Sequence, residues 1–147
     1  MAKKFYIAGP VSKEPGGNYA AFKQVADQIT ESGNIALYTS LLPQGMSEAE
    51  YMKFAHAMLE VCDVVVLLPR WSMSDGAVAE FHWAVKLDKP IIFVSHLTNV
   101  LRYLGSEPHC TRLLFHASKD VKERFNGSDA APTFIQCLSE IFGESDG

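Results

Sequence analysis

The segment at residues 63–68 (DVVVLL) constrains the fold of this chain more than any other stretch. After its first residue it is entirely apolar, and three of its residues are β-branched. Because polar and apolar residues do not alternate, the segment predicts a strand of a parallel sheet that is covered on both faces.

The residues after this strand and a short loop predict a helix. Ser74 is placed to cap its first turn, and Asp75 lies where the positive end of the helix dipole favours a carboxylate. The residues predicted to face the core are Val78, Phe81 and Val85.

Glu80 interrupts the apolar pattern of this helix. Its neighbours three and four residues away are small or aromatic, so no lysine or arginine of the helix can pair with it. It lies just past a helix N-terminus that follows a parallel strand, where open α/β sheets bind ligands. Two interpretations stay open: a functional carboxylate in a pocket, or a solvated residue on an exposed face.

Further strands and helices are predicted on both sides of this pair. Strands are predicted at residues 3–8, 34–38, 91–95 and 113–116. Helices are predicted to begin near residue 18, at the capping box of residues 47–50, near residue 97 and at residue 129. Strands that alternate with helices imply a three-layer α/β fold around a mostly parallel sheet of about five strands.

The apolar positions of the helices indicate which side chains face the core. They are Phe22, Val25, Ala26 and Ile29 in the first helix, Tyr51, Phe54, Ala55, Met58 and Leu59 in the second, and Phe134, Ile135, Leu138 and Ile141 in the last. Residues 126–128 form a predicted turn before the last helix, and residues 143–147 are expected to fray.

Length and composition indicate a single domain over residues 1–147. The chain has 147 residues, 48% of them hydrophobic, which is enough to bury a sizeable core. The formal net charge is -4 and the basic residues are dispersed. This balance argues against a nucleic-acid polymer or a membrane surface as the main partner.

The cysteines and the N-terminus indicate the compartment. Cys62, Cys110 and Cys137 are odd in number and match no metal-ligand spacing, which is typical of a reduced, intracellular protein. The first ten residues contain no long apolar segment. We expect a cytoplasmic protein, with its five histidines at the surface or in packing roles.

Residues around Glu80 indicate what its carboxylate is able to do. A carboxylate that attacks the anomeric carbon of a sugar forms a covalent glycosyl-enzyme, which water or another acceptor then resolves. The backbone N–H groups from Ser74 to Gly76 are placed to bind an anion at the helix start. Trp71 is a candidate for stacking on a base, and Tyr6 for orienting the carboxylate through its hydroxyl.

Several of these residues also have a purely structural interpretation. Ser74 and Asn18 can serve only to begin helices, and Trp71 and Tyr6 can pack in the core or at its rim. Asp63 lies at the amino end of a strand, away from the carboxyl ends where catalytic groups gather, so we favour a structural role for it.

The first loop follows Gly9 and Pro10. Gly9 allows backbone to approach a ligand closely, and Pro10 sets the direction in which the chain leaves the strand. The loop at residues 11–17 matches neither the dinucleotide-binding glycine motif nor the P-loop.

Four motifs in order resemble the nucleoside 2-deoxyribosyltransferase-like superfamily, and more closely its small DUF4406 branch of phage and prophage proteins. They are YIAGP at residues 6–10, N-Y-x-A-F at 18–22, CDVVVLLPRW at 62–71 and S-x-G-A-x-x-E at 74–80. The resemblance covers roughly residues 3–94.

The resemblance implies a flavodoxin-like or Rossmann-like fold, an oligomer, and a glutamate that attacks C1′ of a deoxyribose. It implies no metal and no organic cofactor. Glu80 matches the nucleophile, assisted by Tyr6. The residues expected to bind the nucleoside or nucleotide are Gly9, Pro10, Asn18, Phe22, Trp71, Ser74, Asp75 and Gly76.

The chain departs from these relatives at Ala55, where several of them carry an aspartate that acts as acid or base at the nucleobase. The acid that would protonate the leaving base is therefore not identified. His56, Asp75 or a partner subunit are the candidates that remain.

The leading hypothesis is an enzyme that cleaves or exchanges the N-glycosidic bond of a deoxynucleoside or its 5′-monophosphate. The alternative is a module that binds a nucleotide or an ADP-ribose-type molecule without turning it over, which the alanine at residue 55 favours. A structural protein with a relict pocket is the third hypothesis.

Overall fold

The computed structural model describes residues 2–11, 15–106 and 108–126. In these ranges the strands are β1 (Lys4–Ala8), β2 (Ile35–Leu37), β3 (Val64–Leu67) and β4 (Ile91–Phe93). The α-helices are α1 (Tyr19–Glu31), α2 (Glu48–Val61), α3 (Asp75–Lys86), α4 (Val94–Tyr103) and α5 (His109–Asn126). The predicted turn at residues 126–128, the predicted last helix and the tail lie at or beyond the end of the described residues.

The strands form one parallel sheet in the order β2-β1-β3-β4. All four residues of β3 are buried, which confirms the prediction of a strand covered on both faces. The chain places β2 on one side of β1, then returns to place β3 and β4 on the other side, so the strand order reverses between β1 and β3. A crevice is expected at such a point, outside the carboxyl ends of the strands.

Helices cover both faces of the sheet in a three-layer, Rossmann-like arrangement. Tyr6 and Ala8 of β1 face the layer of α2 and α3, whereas Phe5 and Ile7 face the layer of α1 and α4. This follows from the two-residue period of a strand. The predicted three-layer α/β fold is confirmed.

The predicted strand at residues 113–116 is wrong, because these residues lie inside α5. Leu113, Ala117 and Val121 recur at helical spacing and face the two core clusters. Helix α5 covers the outer edge of β4, where the Ser118 hydroxyl oxygen accepts a hydrogen bond from the Ile91 N–H at 2.9 Å. Four strands, rather than about five, are present in the described residues.

Two side chains predicted to be buried are exposed instead. Phe54 on α2 is 49% exposed and Val85 on α3 is 41% exposed. On α2 the buried residues are Met52, Ala55 and Leu59, so the buried stripe is narrower than predicted and turned away from Phe54. The predicted capping box of α2 is confirmed: the side chains of Ser47 and Glu50 each accept a hydrogen bond from the other residue's backbone N–H.

Asp63 has the structural role favoured by its position. Its Oδ2 accepts a hydrogen bond from the Lys4 N–H at 2.8 Å, and the Lys4 Nζ lies 3.7 Å from the same oxygen. The side chain therefore fixes the start of β1 beside β3.

Candidate functional site

A pocket of about 580 Å³ opens at the carboxyl edge of the sheet. Its wall combines the end of β1, the start of α1, the loop after β2 and the first turns of α2 and α3. Five of the predicted site residues line it, namely Gly9, Phe22, Ser74, Gly76 and Glu80. The pocket therefore lies where the strand order predicts a crevice.

Glu80 is buried at the wall of this pocket, with only 5% of its surface exposed. The interpretation of Glu80 as a solvated surface residue is therefore wrong. The Tyr6 hydroxyl donates a hydrogen bond of 2.6 Å to Glu80 Oε2. Because Tyr6 points from β1 toward the α2 and α3 layer, the sheet itself orients the carboxylate.

Burial controls the protonation of Glu80. The pKa of the carboxyl group is raised from 4.5 to about 8, and burial is the largest cause. The hydrogen bond from Tyr6 lowers this pKa, and the negative charge of Glu48 raises it. Burial, followed by the charge of Glu80, raises the pKa of Tyr6 well above its usual value. The tyrosine therefore remains a hydrogen-bond donor while Glu80 changes protonation state at mildly alkaline pH.

The first turn of α3 forms the wall beside Glu80. The Ser74 hydroxyl oxygen accepts a hydrogen bond from the Ala77 N–H at 3.2 Å, which confirms the N-cap. Ser74 also lines the pocket, so its capping role does not remove it from the site. A Cβ at Gly76 would be 3.6 Å from Met52 Sδ, an ordinary contact. The surrounding atoms do not require glycine there, and its missing side chain leaves room in the pocket.

Gly9 is required by packing as well as by its place in the pocket. A Cβ at this position would lie 2.7 Å from Leu68 Cδ1 and 2.8 Å from Leu68 Cβ. Real Cβ atoms do not approach other carbons so closely. The backbone of β1 can end against β3 only because residue 9 has no side chain.

Asn18 and Pro10 do not line the pocket, although Gly17 and Tyr19, on either side of Asn18, do. The Asn18 Nδ2 donates a hydrogen bond of 3.0 Å to the Pro10 carbonyl oxygen. Asn18 precedes α1 in a left-handed conformation, with φ 60°, and makes no side-chain cap. It thus links the end of β1 to the start of α1.

Trp71 and Asp75 do not line the pocket. Trp71 is buried in the core, and its ring centroid lies 5.0 Å from that of Phe81. This position supports the packing role rather than stacking on a base. Asp75 is the first residue of α3, where its charge suits the helix dipole.

His56 also lies off the pocket wall. Its Nδ1 is 3.1 Å from a carboxylate oxygen of Glu60, and its ring packs edge-on against Trp83. Neither His56 nor Asp75, the two candidates on this chain for the leaving-group acid, therefore borders the pocket.

Sequence reasoning missed Glu48 and the two tyrosines Tyr19 and Tyr51, which all line the pocket. Glu48 is the first residue of α2, and Tyr19 the first of α1. The signal was available, because the N-termini of helices that follow parallel strands all meet at the carboxyl edge of the sheet.

A second cavity, of about 650 Å³, lies at the amino edge of the sheet beside α5. Its lining includes Asp63, Lys89 and Ser118, and none of the predicted site residues. Lys89 Nζ donates hydrogen bonds to the carbonyl oxygens of Glu60 and Cys62 at 3.0 and 2.8 Å. These polar groups hold the fold together, so the site of chemical interest is the pocket with Glu80.

Residues 3–93 match the model of a family described as a domain of unknown function, DUF4406. The chain belongs to the DUF4406 family. The matched residues of this DUF4406 protein include all four strands, α1 to α3 and every pocket residue named above. A search of curated proteins found no match.

The described residues contain no group of three or more histidine, cysteine, aspartate or glutamate side chains able to hold a metal ion. In the same part of the chain, no helix combines the length and apolar character that crossing a membrane demands.

Proposed function

We propose that this protein cleaves or transfers the N-glycosidic bond of a deoxynucleoside or deoxynucleoside 5′-monophosphate through a covalent glycosyl-Glu80 intermediate. One observation carries the proposal: a buried glutamate, oriented by a tyrosine hydroxyl, on the wall of a pocket with room for a nucleoside. A carboxylate held in this way is suited to nucleophilic attack on an anomeric carbon.

In the proposed reaction Tyr6 holds Glu80 Oε2, and Oε1 forms a bond with C1′ of the sugar. The C1′–N bond breaks and its electron pair leaves with the base, which takes up a proton from solvent. Water or a second base then attacks C1′ and gives up a proton to solvent, and Glu80 leaves as a carboxylate. The hydroxyl groups and backbone around Ser74 bind the sugar or an anion attached to it.

The test combines base release with trapping of the intermediate. Purified protein is incubated with each deoxynucleoside and deoxynucleoside monophosphate, and free base is measured by chromatography. We expect release by wild type, at least 10³-fold less by Glu80→Gln, and a deoxyribosyl adduct on Glu80 in quenched samples. Glu31→Gln removes an exposed glutamate from the end of α1 and serves as the matched control. Equal turnover by Glu80→Gln and wild type would refute the proposal.

A binding module is the second candidate function. It is favoured by the absence of His56 and Asp75 from the pocket wall, together with Ala55 where relatives have an acid. This candidate predicts that wild type binds an intact nucleotide or ADP-ribose-type ligand with no product after hours. Calorimetry with ligand recovery distinguishes it from the enzyme.

We further propose a cytoplasmic homo-oligomer. Phe54, Met58 and Val61 recur along α2 at helical spacing, and the first and last of them are about half exposed. Such an apolar stripe is suited to contact with a second copy. Sedimentation of wild type beside Phe54→Glu is the measurement, and a monomeric wild type at micromolar concentration would contradict the proposal.

A further inference from the structure

The charge of the pocket limits the ligands that it favours. Among the described residues that line it, two are acidic, Glu48 and Glu80, and none is lysine, arginine or histidine. The other polar side chains of the wall carry hydroxyl or amide groups. The N-termini of α2 and α3 also lie here, but each has at least one acidic residue in its own first turn. Among the described residues, the side chains of the wall therefore offer a cation the charge of Glu48 and offer an anion no positive charge, and Glu80 adds a second negative charge as it ionises near pH 8.

Two tyrosine hydroxyls at the pocket are already engaged in hydrogen bonds. The Tyr6 hydroxyl donates to Glu80 at 2.6 Å, and the Tyr51 hydroxyl donates to the Pro43 carbonyl oxygen at 2.6 Å. His56 is paired with a carboxylate on its own helix, away from the pocket. A neutral nucleobase needs a proton, or strong hydrogen bonding, in order to leave. Tyr19 also lines the pocket, but a phenol is a weak acid, and Glu80 has to be ionised in order to attack. The described side chains of the wall therefore include no strong proton donor for that step.

Glu48 acts on this site as a negative charge. It is exposed at the start of α2, and its charge is one of the causes that raise the pKa of Glu80. Its Oε1 lies 3.8 Å from the position that a Cβ would take at Gly76, so it reaches the wall formed by the first turn of α3. A cation bound between the two glutamates would favour the ionised form of Glu80, which is the form that attacks.

We infer that this pocket selects N-glycosides whose leaving base carries a positive charge, such as a pyridinium or an N7-alkylated purine, with Glu48 attracting the base and Glu80 attacking C1′. This inference rests on the proposed function. As Glu80 forms its bond with C1′, the electron pair of the C1′–N bond moves to the ring nitrogen and cancels its charge. The base leaves neutral and needs no proton. Water then attacks C1′, releases Glu80 and gives up one proton to solvent.

Binding is tested first, in Glu80→Gln so that the ligand stays intact. The probes are nicotinamide 2′-deoxyriboside, which is a pyridinium cation, and its C-glycosidic benzamide analogue, which has the same shape and no charge. We expect calorimetry to give a Kd about tenfold lower for the cation, and the difference to fall below about twofold in Glu48→Gln/Glu80→Gln. Equal affinities in Glu80→Gln, or a preference that survives removal of Glu48, would overturn the inference.

Turnover is tested next, with each rate divided by the spontaneous rate of the same compound. For wild type we expect this ratio to be at least tenfold higher for nicotinamide 2′-deoxyriboside than for 2′-deoxyinosine. Glu48→Gln should lower the ratio about tenfold for the cation. For the neutral nucleoside the ratio should not fall, because loss of the Glu48 charge lowers the pKa of Glu80 and so favours its ionised form. Glu48→Asp should restore part of the loss for the cation. Circular dichroism of each variant verifies the fold.

The two proposals fail in different ways. Suppose that the rate ratio for neutral nucleosides equals or exceeds that for the cation, and that Glu48→Gln abolishes their cleavage. Glu48 would then be a proton donor, so the inference would be overturned while the proposed function stands. Release of base from none of the compounds would overturn both.

Discussion

Among single residues, the pair of Tyr6 and Glu80 is the central feature of the candidate site. The 2.6 Å hydrogen bond between them joins residues that are 74 positions apart in the chain. It lowers the pKa of Glu80, whereas burial, which has the larger effect, raises it. The tyrosine thus keeps the carboxylate ionisable in a place where burial alone would keep it protonated.

This balance makes a prediction for the pH dependence of the proposed reaction. Since burial raises the pKa of Glu80 to about 8, the fraction of ionised Glu80 in the free protein rises up to that pH. We expect kcat/KM to increase about tenfold per pH unit below pH 8 and then to level off. The pH profile of base release is the measurement. A flat profile from pH 6 to 9 would contradict the assignment of Glu80 as nucleophile.

Tyr6→Phe removes the hydrogen bond that lowers the pKa of Glu80 and nearly preserves the volume of the ring. We expect the rising limb of the pH profile to move upward by about one unit or more, with a loss of at least tenfold in kcat/KM at pH 7. Tyr103→Phe, on α4 away from the pocket, is the matched control. A limb that stays at the wild-type pH in Tyr6→Phe would show that the hydrogen bond does not tune Glu80.

At the scale of elements, the ends of strands and the starts of helices build the site. β1 ends at a glycine that packs against Leu68, and α3 begins with a cap that places Gly76 and Glu80 one turn apart. The same edge receives the first residue of α2, Glu48. The pocket is therefore a consequence of where parallel elements begin and end, and each residue in it depends on the packing of its element.

Comparing Gly9→Ala with Gly76→Ala distinguishes a glycine that close packing requires from a glycine that only leaves room in the pocket. At Gly9 the added methyl group would lie 2.7 Å from Leu68, so we expect a loss of about 1–3 kcal/mol in the free energy of unfolding. At Gly76, inside α3, the nearest atom is 3.6 Å away, so we expect stability to be unchanged or to rise by up to about 1 kcal/mol. Urea unfolding measures both. If Gly9→Ala proved as stable as Gly76→Ala, the prediction would be wrong, and backbone movement would have to relieve the contact with Leu68.

At the scale of the whole molecule, the protein keeps an ionisable group in its interior, and this has a cost in stability. The pKa of Glu80 is raised to about 8 in the folded protein, so folding favours the protonated form. The corresponding stability is present below about pH 4.5, the pKa of an unburied glutamate, and is lost as pH rises through about 8.

Glu80→Gln should therefore be more stable than wild type at alkaline pH. We expect the difference in free energy of unfolding to be small at pH 5 and to grow to the order of a few kcal/mol at pH 9. Thermal unfolding at several pH values measures this difference, with Glu31→Gln as the control for loss of one exposed carboxylate. The two variants having the same pH dependence would contradict the burial of an ionisable Glu80.

Particular residues show why some predictions succeeded. The β-branched run of β3, the capping box of α2 and the Ser74 cap are local patterns, since each depends on residues within one or two turns of chain. Glu80 could be singled out from the sequence because a carboxylate among small and aromatic neighbours is unusual on a helix. By contrast, the apolar residues at 113–116 fit a strand or a helix equally well over so short a stretch. Their place in α5 depends on the edge of β4 that this helix covers.

The parallel α/β architecture, the start of each helix at the site and the unusual carboxylate could all be predicted from the sequence alone, because they follow from periodicity and from hydrogen bonds between near neighbours. The tertiary structure was needed to show that Tyr6 contacts Glu80, that Glu48 lines the same pocket, that Trp71 is buried in the core and that Phe54 is exposed. These facts depend on which elements become neighbours in space. Which elements pack together depends on the burial of whole helix and sheet faces, whose residues come from several separate stretches of the sequence.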